Sequence, residues 1–155
     1  MRFLLFFIAA TALFTNPMAQ DKVLNGDANC TRCHDENDSF PVLAIGKSKH
    51  GTRADPRTPT CTSCHGESNL HVNRPPDAKE RPKPDRTFGK ASTTPMDQRS
   101  AACLTCHQSS KRMDWQMSAH ATRDVACSSC HVIHSGRDPV RDKLTQTDTC
   151  FSCHK

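Results

Sequence analysis

The sequence has no tyrosine, one tryptophan and seven phenylalanines. Four of the phenylalanines fall within the first 14 residues, which leaves Phe40, Phe88, Phe151 and Trp115 to serve the rest of the chain. A chain of this size buries only about two-thirds of its unfolded surface even when apolar residues are plentiful. An interior made of side chains alone is therefore excluded, and something else must fill it. Beyond Gln20 no apolar run approaches the roughly 20 residues that cross a bilayer, so no transmembrane segment is expected in the mature chain. No stretch alternates in the manner of a useful strand. No basic patch interleaved with aromatics and no nucleic-acid motif is present, so nucleic acid is not an expected partner.

The N-terminus, MRFLLFFIAATALFTNPMAQ, has a positive charge at Arg2, an apolar run from Phe3 to Phe14 and a small-residue region ending at Ala19. That order predicts a secretory signal peptide over 1–19, cleaved on export. Residues 20–155 are then enough for one domain. Without Arg2 the chain has 20 Lys and Arg against 16 Asp and Glu.

All ten cysteines belong to five copies of C-x-x-C-H: Cys30/Cys33/His34, Cys61/Cys64/His65, Cys103/Cys106/His107, Cys127/Cys130/His131 and Cys150/Cys153/His154. Ten cysteines in an exported protein ordinarily suggest disulfides, yet a disulfide scaffold has no reason to place histidine after every second cysteine. Zinc sites pair C-x-x-C with a second pair or with spaced histidines and do not need that adjacency. Covalent haem attachment needs this order: two thiols form thioethers with the vinyl groups, and the next residue brings its imidazole to the iron. The reading is five covalently bound haem c, one per roughly 27 residues, which serve as the hydrophobic core. Their ten propionates offset the positive formal charge.

Successive motifs are irregularly spaced, so no strict repeat is expected. The widest gap contains the proline-rich stretch 72–95, which cannot form helix or sheet and reads as a solvated strap across a haem edge. Helical pieces should be short and built on the motifs, with Ser100 capping a turn over 101–107 and Asp148 capping 149–154. The fold class expected is small, irregular and mainly α with long loops. Five of the nine histidines are used as proximal ligands, leaving His50, His71, His120 and His134 as candidate distal ligands. His134 lies three residues after His131, on the same side of the same turn, so it cannot complete its own haem and is expected to ligate another. The same reasoning applies to His71 after His65. One iron remains short of a ligand, for which Met113 and Met117, flanking Trp115, are weaker candidates.

The stretch 87–140, opening TFGKASTTP and closing HVIHSGRDPV, closely resembles the first five-haem half of the MtrA/DmsE-type decahaem cytochromes, and CTSCHGESNLH at 61–71 fits the same half. The motif order also resembles the NrfB pentahaem cytochrome. The resemblance implies a periplasmic wire of closely packed, mostly bis-histidine haems. Its donor would be an inner-membrane quinol dehydrogenase cytochrome, and its acceptor a terminal reductase or an outer-membrane porin-cytochrome. Because a second five-haem half is missing, a soluble shuttle is expected, with a porin-associated module or a truncated decahaem protein as the alternative. Filled axial positions disfavour an enzyme. A multihaem reductase acting at one under-ligated iron is the alternative of another class, although the C-x-x-C-K motif of NrfA-type nitrite reductases is missing.

Overall fold

A C-x-x-C-H segment has its two cysteines and histidine at i, i+3 and i+4, which share one face of a helical turn. In the computed structural model every motif adopts such a turn. The histidine N–H donates to the carbonyl of the first cysteine at 3.0 Å for His34, 2.9 Å for His107, and 3.0 Å for His131 and His154. The second motif lies wholly within a helix, Cys61–His65. The structure describes residues 27–155 apart from 53, 54, 90, 110, 111 and 113. The expected signal peptide over 1–19 and the candidate ligand Met113 lie outside the described residues.

The helices are α1 (Ala28–Thr31), α2 (Cys61–His65), α3 (Asn69–Val72), α4 (Met96–Leu104) and α5 (Gln146–Phe151). Between them run 3-10 turns at Val42–Lys47, Lys49–Gly51, Trp115–Met117, Ala121–Arg123, Cys127–Ser129 and Pro139–Arg141. Among the described residues there is no strand, so the chain is mainly helical and irregular. None of the described helices is long and apolar enough to cross a membrane.

Two expected caps are corrected by the structure. Helix α4 begins at Met96 with Pro95 at its N-cap position, so Ser100 is an interior residue, buried, with its hydroxyl turned to the Met96 sulfur at 3.4 Å. A proline beside the first turn and Asp97 within it favour this earlier start through fixed φ and the helix dipole. Helix α5 starts at Gln146 after Thr145, which puts Asp148 in the first turn and not at the cap. At α2 a reciprocal cap forms: Thr60 Oγ1 accepts from the Ser63 N–H at 3.2 Å, and Ser63 Oγ accepts from the Thr60 N–H at 3.1 Å. Buried Asp27 links the first two motifs. Its carboxylate accepts from the Cys61 N–H, and its carbonyl accepts from the N–H groups of Cys30 and Thr31.

Among the described residues the buried apolar ones are Ala102, Ala121 and Ala126, while Phe40, Leu70 and Phe151 are each more than half exposed. Alanine methyl groups bury too little area, at about 25 cal/mol per Å², to offset the ~1–2 kcal/mol of backbone entropy lost per residue. The fold needs another apolar component.

The strap is more constrained than its composition suggests. Its described residues between Val72 and Met96 form no helix, but Asp85 pins it: the Ser68 N–H donates to Asp85 Oδ2 at 2.8 Å, and the Asp85 N–H donates to Ser68 Oγ at 3.1 Å. Next to it the Arg86 N–H donates to the His65 carbonyl at 3.0 Å, and Arg86 Nε donates to the Cys64 carbonyl at 2.6 Å. The chain leaves α2 through Gly66, whose φ of +79° and ψ of 177° form a combination nearly confined to glycine. A Cβ there would also come within 2.8 Å of Asp85 Oδ2.

Gly66→Ala is expected to destabilise the protein by about 1–3 kcal/mol, read as a lower midpoint in denaturant; an unchanged midpoint would show that the turn carries no strain. Asp85→Ala removes a hydrogen bond to a charged acceptor, a change of about 1.5–3 kcal/mol. Amide exchange at Ser68 and Arg86 should accelerate by on the order of tenfold or more, while exchange in α5 stays as it was.

Candidate functional site

Each helical turn presents two thiols and an imidazole together, and the turns follow one another in space as they do in sequence. Cys30 of the first motif lies beside Cys61 of the second, and Cys103 of the third beside Cys127 of the fourth, each near enough to shift its neighbour's thiol. Cys64 of the second motif lies within electrostatic range of Cys103 and Cys106 of the third, and Cys130 of the fourth within range of Cys150 and Cys153 of the fifth. Burial pushes the thiols of Cys30, Cys61, Cys64 and Cys130 up, whereas the adjacent Cys103 holds that of Cys127 down.

The ten sulfurs differ in exposure. Cys33, Cys106, Cys150 and Cys153 are exposed, whereas Cys30, Cys61, Cys64, Cys103, Cys127 and Cys130 are partly enclosed by the polypeptide. For three of the four exposed sulfurs the position follows from where a helix stops, while Cys150 is exposed within α5 itself. Cys33, Cys106 and Cys153 each lie two residues past a helix end, at Thr31, Leu104 and Phe151, on turns that other segments do not cover. Cys64 stays inside α2, where the Arg86 side chain crosses its carbonyl. Cys33 nevertheless keeps the motif geometry, since its N–H donates to the Cys30 carbonyl at 3.1 Å and the His34 N–H donates to the same oxygen. It remains on the face that its turn shares with Cys30 and His34.

The four histidines outside the motifs each stand against a motif histidine. His71 faces His34 at a ring-centroid distance of 6.0 Å, His50 faces His107 at 6.0 Å, His134 faces His65 at 6.1 Å, and His120 faces His154 at 6.0 Å. The interplanar angles are 7°, 80°, 43° and 62° respectively. Rings in direct contact change separation as they pass from stacked to edge-on; here the separation is constant while the angle varies. A common spacer fixes the distance and leaves rotation about the axis free. Two metal–imidazole bonds of about 2 Å each, plus about 1 Å from each nitrogen to its ring centre, span about 6 Å. The donor set fits an iron between each pair of rings.

The outer ring nitrogens fit the same role. Nδ1 of His65 lies 2.8 Å from the Arg86 carbonyl, Nδ1 of His71 2.7 Å from the Pro82 carbonyl, and Nδ1 of His134 2.5 Å from the Val42 carbonyl. His34 and His131 instead place Nδ1 2.7 Å from the carboxylates of Asp38 and Asp138. An acceptor at Nδ1 puts the proton there, leaves the Nε2 lone pair free for a metal and raises its basicity. Burial pushes the His65 imidazole below its usual range, against the upward pull of the Arg86 carbonyl. For His50, burial and then the neighbouring His107 act downward. Both shifts favour the neutral imidazole.

Among the described residues no three of His, Cys, Asp and Glu converge as a metal-holding cluster. The paired imidazoles would hold the iron of a haem between them, one pair to each iron. Buried Arg99 Nε, Trp115 Nε1 and Ser128 Oγ have no acceptor among the described residues, and buried donors of that kind almost always have one. Haem propionates are suitable acceptors.

His131 is the motif histidine left over: the four pairs use eight of the nine imidazoles. Met117 is 86 % exposed. Two of the four aromatic side chains beyond the N-terminus meet imidazoles, Phe88 the His65 ring edge-on at 5.2 Å and Phe40 that of His134 at 5.8 Å. Sequence reasoning missed the residues behind the rings. Asp38 and Asp138 follow their histidines by four and seven residues, a local signal that could have been read. The carbonyls of Pro82, Arg86 and Val42 leave no trace in residue type.

Residues 61–153 match the family model described as cytochrome c-type protein NrfB-like. Among curated proteins, the multiheme cytochrome MtrA of Shewanella baltica (strain OS185) is 36 % identical over 133 residues, which cover 83 % of this chain and 38 % of the relative. The chain thus spans well under half the length of the relative it matches. Five C-x-x-C-H turns, each backed by imidazole chemistry, and these two matches lead to one conclusion: the chain belongs to the MtrA/NrfB-type multihaem c-type cytochromes, a family of electron-transfer proteins with covalently bound haem.

Proposed function

We propose that residues 20–155 form a periplasmic pentahaem cytochrome c, exported by the signal peptide over 1–19, that relays electrons from a quinol-linked inner-membrane cytochrome to a terminal reductase or an outer-membrane porin-cytochrome. Each pair of motif cysteines holds one haem, and His34, His65, His107, His131 and His154 are its proximal ligands. His71, His134, His50 and His120 are the distal ligands of the first, second, third and fifth haems in that order. The observation that carries this reading is the constant 6.0–6.1 Å between each of these histidines and a histidine of a different motif.

Bound haem supplies a one-electron redox couple. The chain does the remaining work. Its thiols fix the group at the surface of each turn, and its paired imidazoles fill both axial positions and shut substrates out. The acceptors behind Nδ1 lock tautomer and orientation. The order of the motifs in space supports passage from each to the next along the sequence. Transfer to protein partners needs small, transient, largely polar contacts, in keeping with a shuttle. The 38 % span of the MtrA relative keeps a second arrangement in view, a module seated in a porin-cytochrome complex as part of a longer decahaem protein.

Pyridine haemochrome with the mass of the mature protein should give five covalent haems; a colourless folded protein with paired or zinc-bound sulfurs would overturn the reading. In His134→Met the haem of the second motif should change, with a higher potential from thioether ligation, while the fourth haem keeps its signals. Paramagnetic NMR of haem methyls assigned by motif, followed through a redox titration, tests this. A response confined to the Cys127/Cys130 haem would refute the proposed pairing of His134 with His65.

A further inference from the structure

We infer that the basic concavity between the turns at 47–52 and the loop 132–143 is a docking face for an acidic redox protein, which exchanges electrons with the middle of the relay; the inference rests on the haem reading above. Two segments far apart in sequence build this face. His134 Nδ1 lies 2.5 Å from the Val42 carbonyl, and Gly136 comes so close to Lys47 that an added Cβ would stand 3.3 Å from the Lys47 Cβ. Between them is a cavity of about 760 Å³. Its lining residues include no cysteine and none of the five motif histidines, so it is distinct from the faces on which the haems are attached.

The walls carry Lys47, Lys49, Arg137, Arg141 and Lys143, all exposed. Two acids share them, and each is engaged: Asp138 by the His131 ring and Asp142 by Arg137. Lys47, Lys49, Arg141 and Lys143 are thus in excess. The molecule as a whole has no such excess, because its 20 basic and 16 acidic residues beyond Ala19 are joined by ten haem propionates. A positive region confined to one concave face focuses the field there and steers an oppositely charged partner into one orientation. The lining selects the kind of partner. Small-molecule pockets are lined mainly by apolar and aromatic groups, whereas Val132 and Ile133 are the large apolar residues here and charged ones predominate. A flat lipid surface cannot follow a concave wall; a protruding acidic loop of a protein can.

What lies behind the walls gives the contact its use. His50, whose ring faces His107 at 6.0 Å, lines the cavity. So does Asp138, whose carboxylate stands 2.7 Å from His131 Nδ1. The cavity therefore backs onto axial ligands of the third and fourth haem sites at once, and these two motifs are neighbours through Cys103 and Cys127. A partner seated there meets the relay between its ends. One electron leaves the reduced partner and is taken up by one oxidised haem, with no bond made or broken.

The test follows, by stopped flow, the oxidation of a reduced plant-type two-iron ferredoxin, a small acidic one-electron donor, by the oxidised holoprotein. The second-order rate constant should fall as salt rises. Lys47→Glu with Lys143→Glu should lower it about tenfold or more at low salt, whereas Lys79→Glu with Lys83→Glu, the same change of charge placed on the strap, should lower it far less. The milder pair Lys47→Gln and Lys143→Gln should give an intermediate loss. With gallium-substituted ferredoxin, which docks and transfers no electron, the paramagnetic haem methyl signals of the third and fourth motifs should move. Equal losses for the two Glu pairs, or shifts confined to the haems of the first and fifth motifs, would overturn the inference. So would binding to phosphatidylglycerol vesicles that the Lys47 and Lys143 reversals abolish while ferredoxin oxidation is unchanged, which assigns the face to a membrane. Haemochrome keeps the two readings apart: five haems with ferredoxin oxidation indifferent to the Lys47 and Lys143 reversals refute only the docking face, whereas fewer than five refute the pentahaem reading itself.

Discussion

The fixed separation between paired imidazoles is the constraint on which the rest of the molecule depends. Each pair joins residues 34 to 69 positions apart in sequence, and nothing in the apolar content of the chain could hold such distant segments at a constant 6 Å. With iron between the rings, each pair becomes a cross-link. Closing loops of this size in the unfolded chain is worth about 4 kcal/mol apiece on the loop-entropy model. That sum does not add simply, because the loops share residues. It nevertheless has the scale that the three alanines buried among the described residues cannot reach.

The arrangement of the cross-links matters as much as their number. The interval from His34 to His71 overlaps that from His50 to His107; both overlap the interval from His65 to His134, and this last overlaps the one from His120 to His154. No segment can detach while its neighbours stay in place. The interleaving also brings all five turns into a row without any sheet or long helix to order them. Helical turns as short as α1 and α3 are not stable alone, and they persist here because their side chains are committed to distant partners.

How much of this was visible in the sequence follows from the range of each signal. The motif turns were legible because i, i+3 and i+4 geometry is local, and the spare histidines stood out because a chain so poor in aromatics leaves them little else to do. Which imidazole meets which was not legible: His134 and His71 were recognised as unable to serve their own turns, but the choice of His65 and His34 depends on loops 69 and 37 residues long. Nor does the motif itself tell that Cys33 lies open while Cys64, at the same place in its own motif, is enclosed, because the enclosing residue, Arg86, comes from the distant strap. The start of α4 was misplaced because Ser100 resembles a good cap, while Pro95 and Asp97, which carry the stronger signal together, lie in a stretch dominated by loop residues. The strap was the largest omission. Its proline density forbids helix and has a second consequence.

That consequence is chemical. Residues in a helix spend their carbonyls on the N–H groups of the next turn, and residues in a sheet spend theirs on the neighbouring strand. Proline removes N–H donors and keeps every C=O, so a proline-rich segment is a supply of unclaimed acceptors. Here the strap delivers two of them, from Pro82 to His71 and from Arg86 to His65, and so serves two imidazoles from different haem sites with one stretch of backbone. A regular element of the same length could not, since its carbonyls would already be engaged. The scarcity of secondary structure and the wealth of imidazole hydrogen bonding thus have one origin: a chain that orients many metal-ligating rings in little space must leave its carbonyls free.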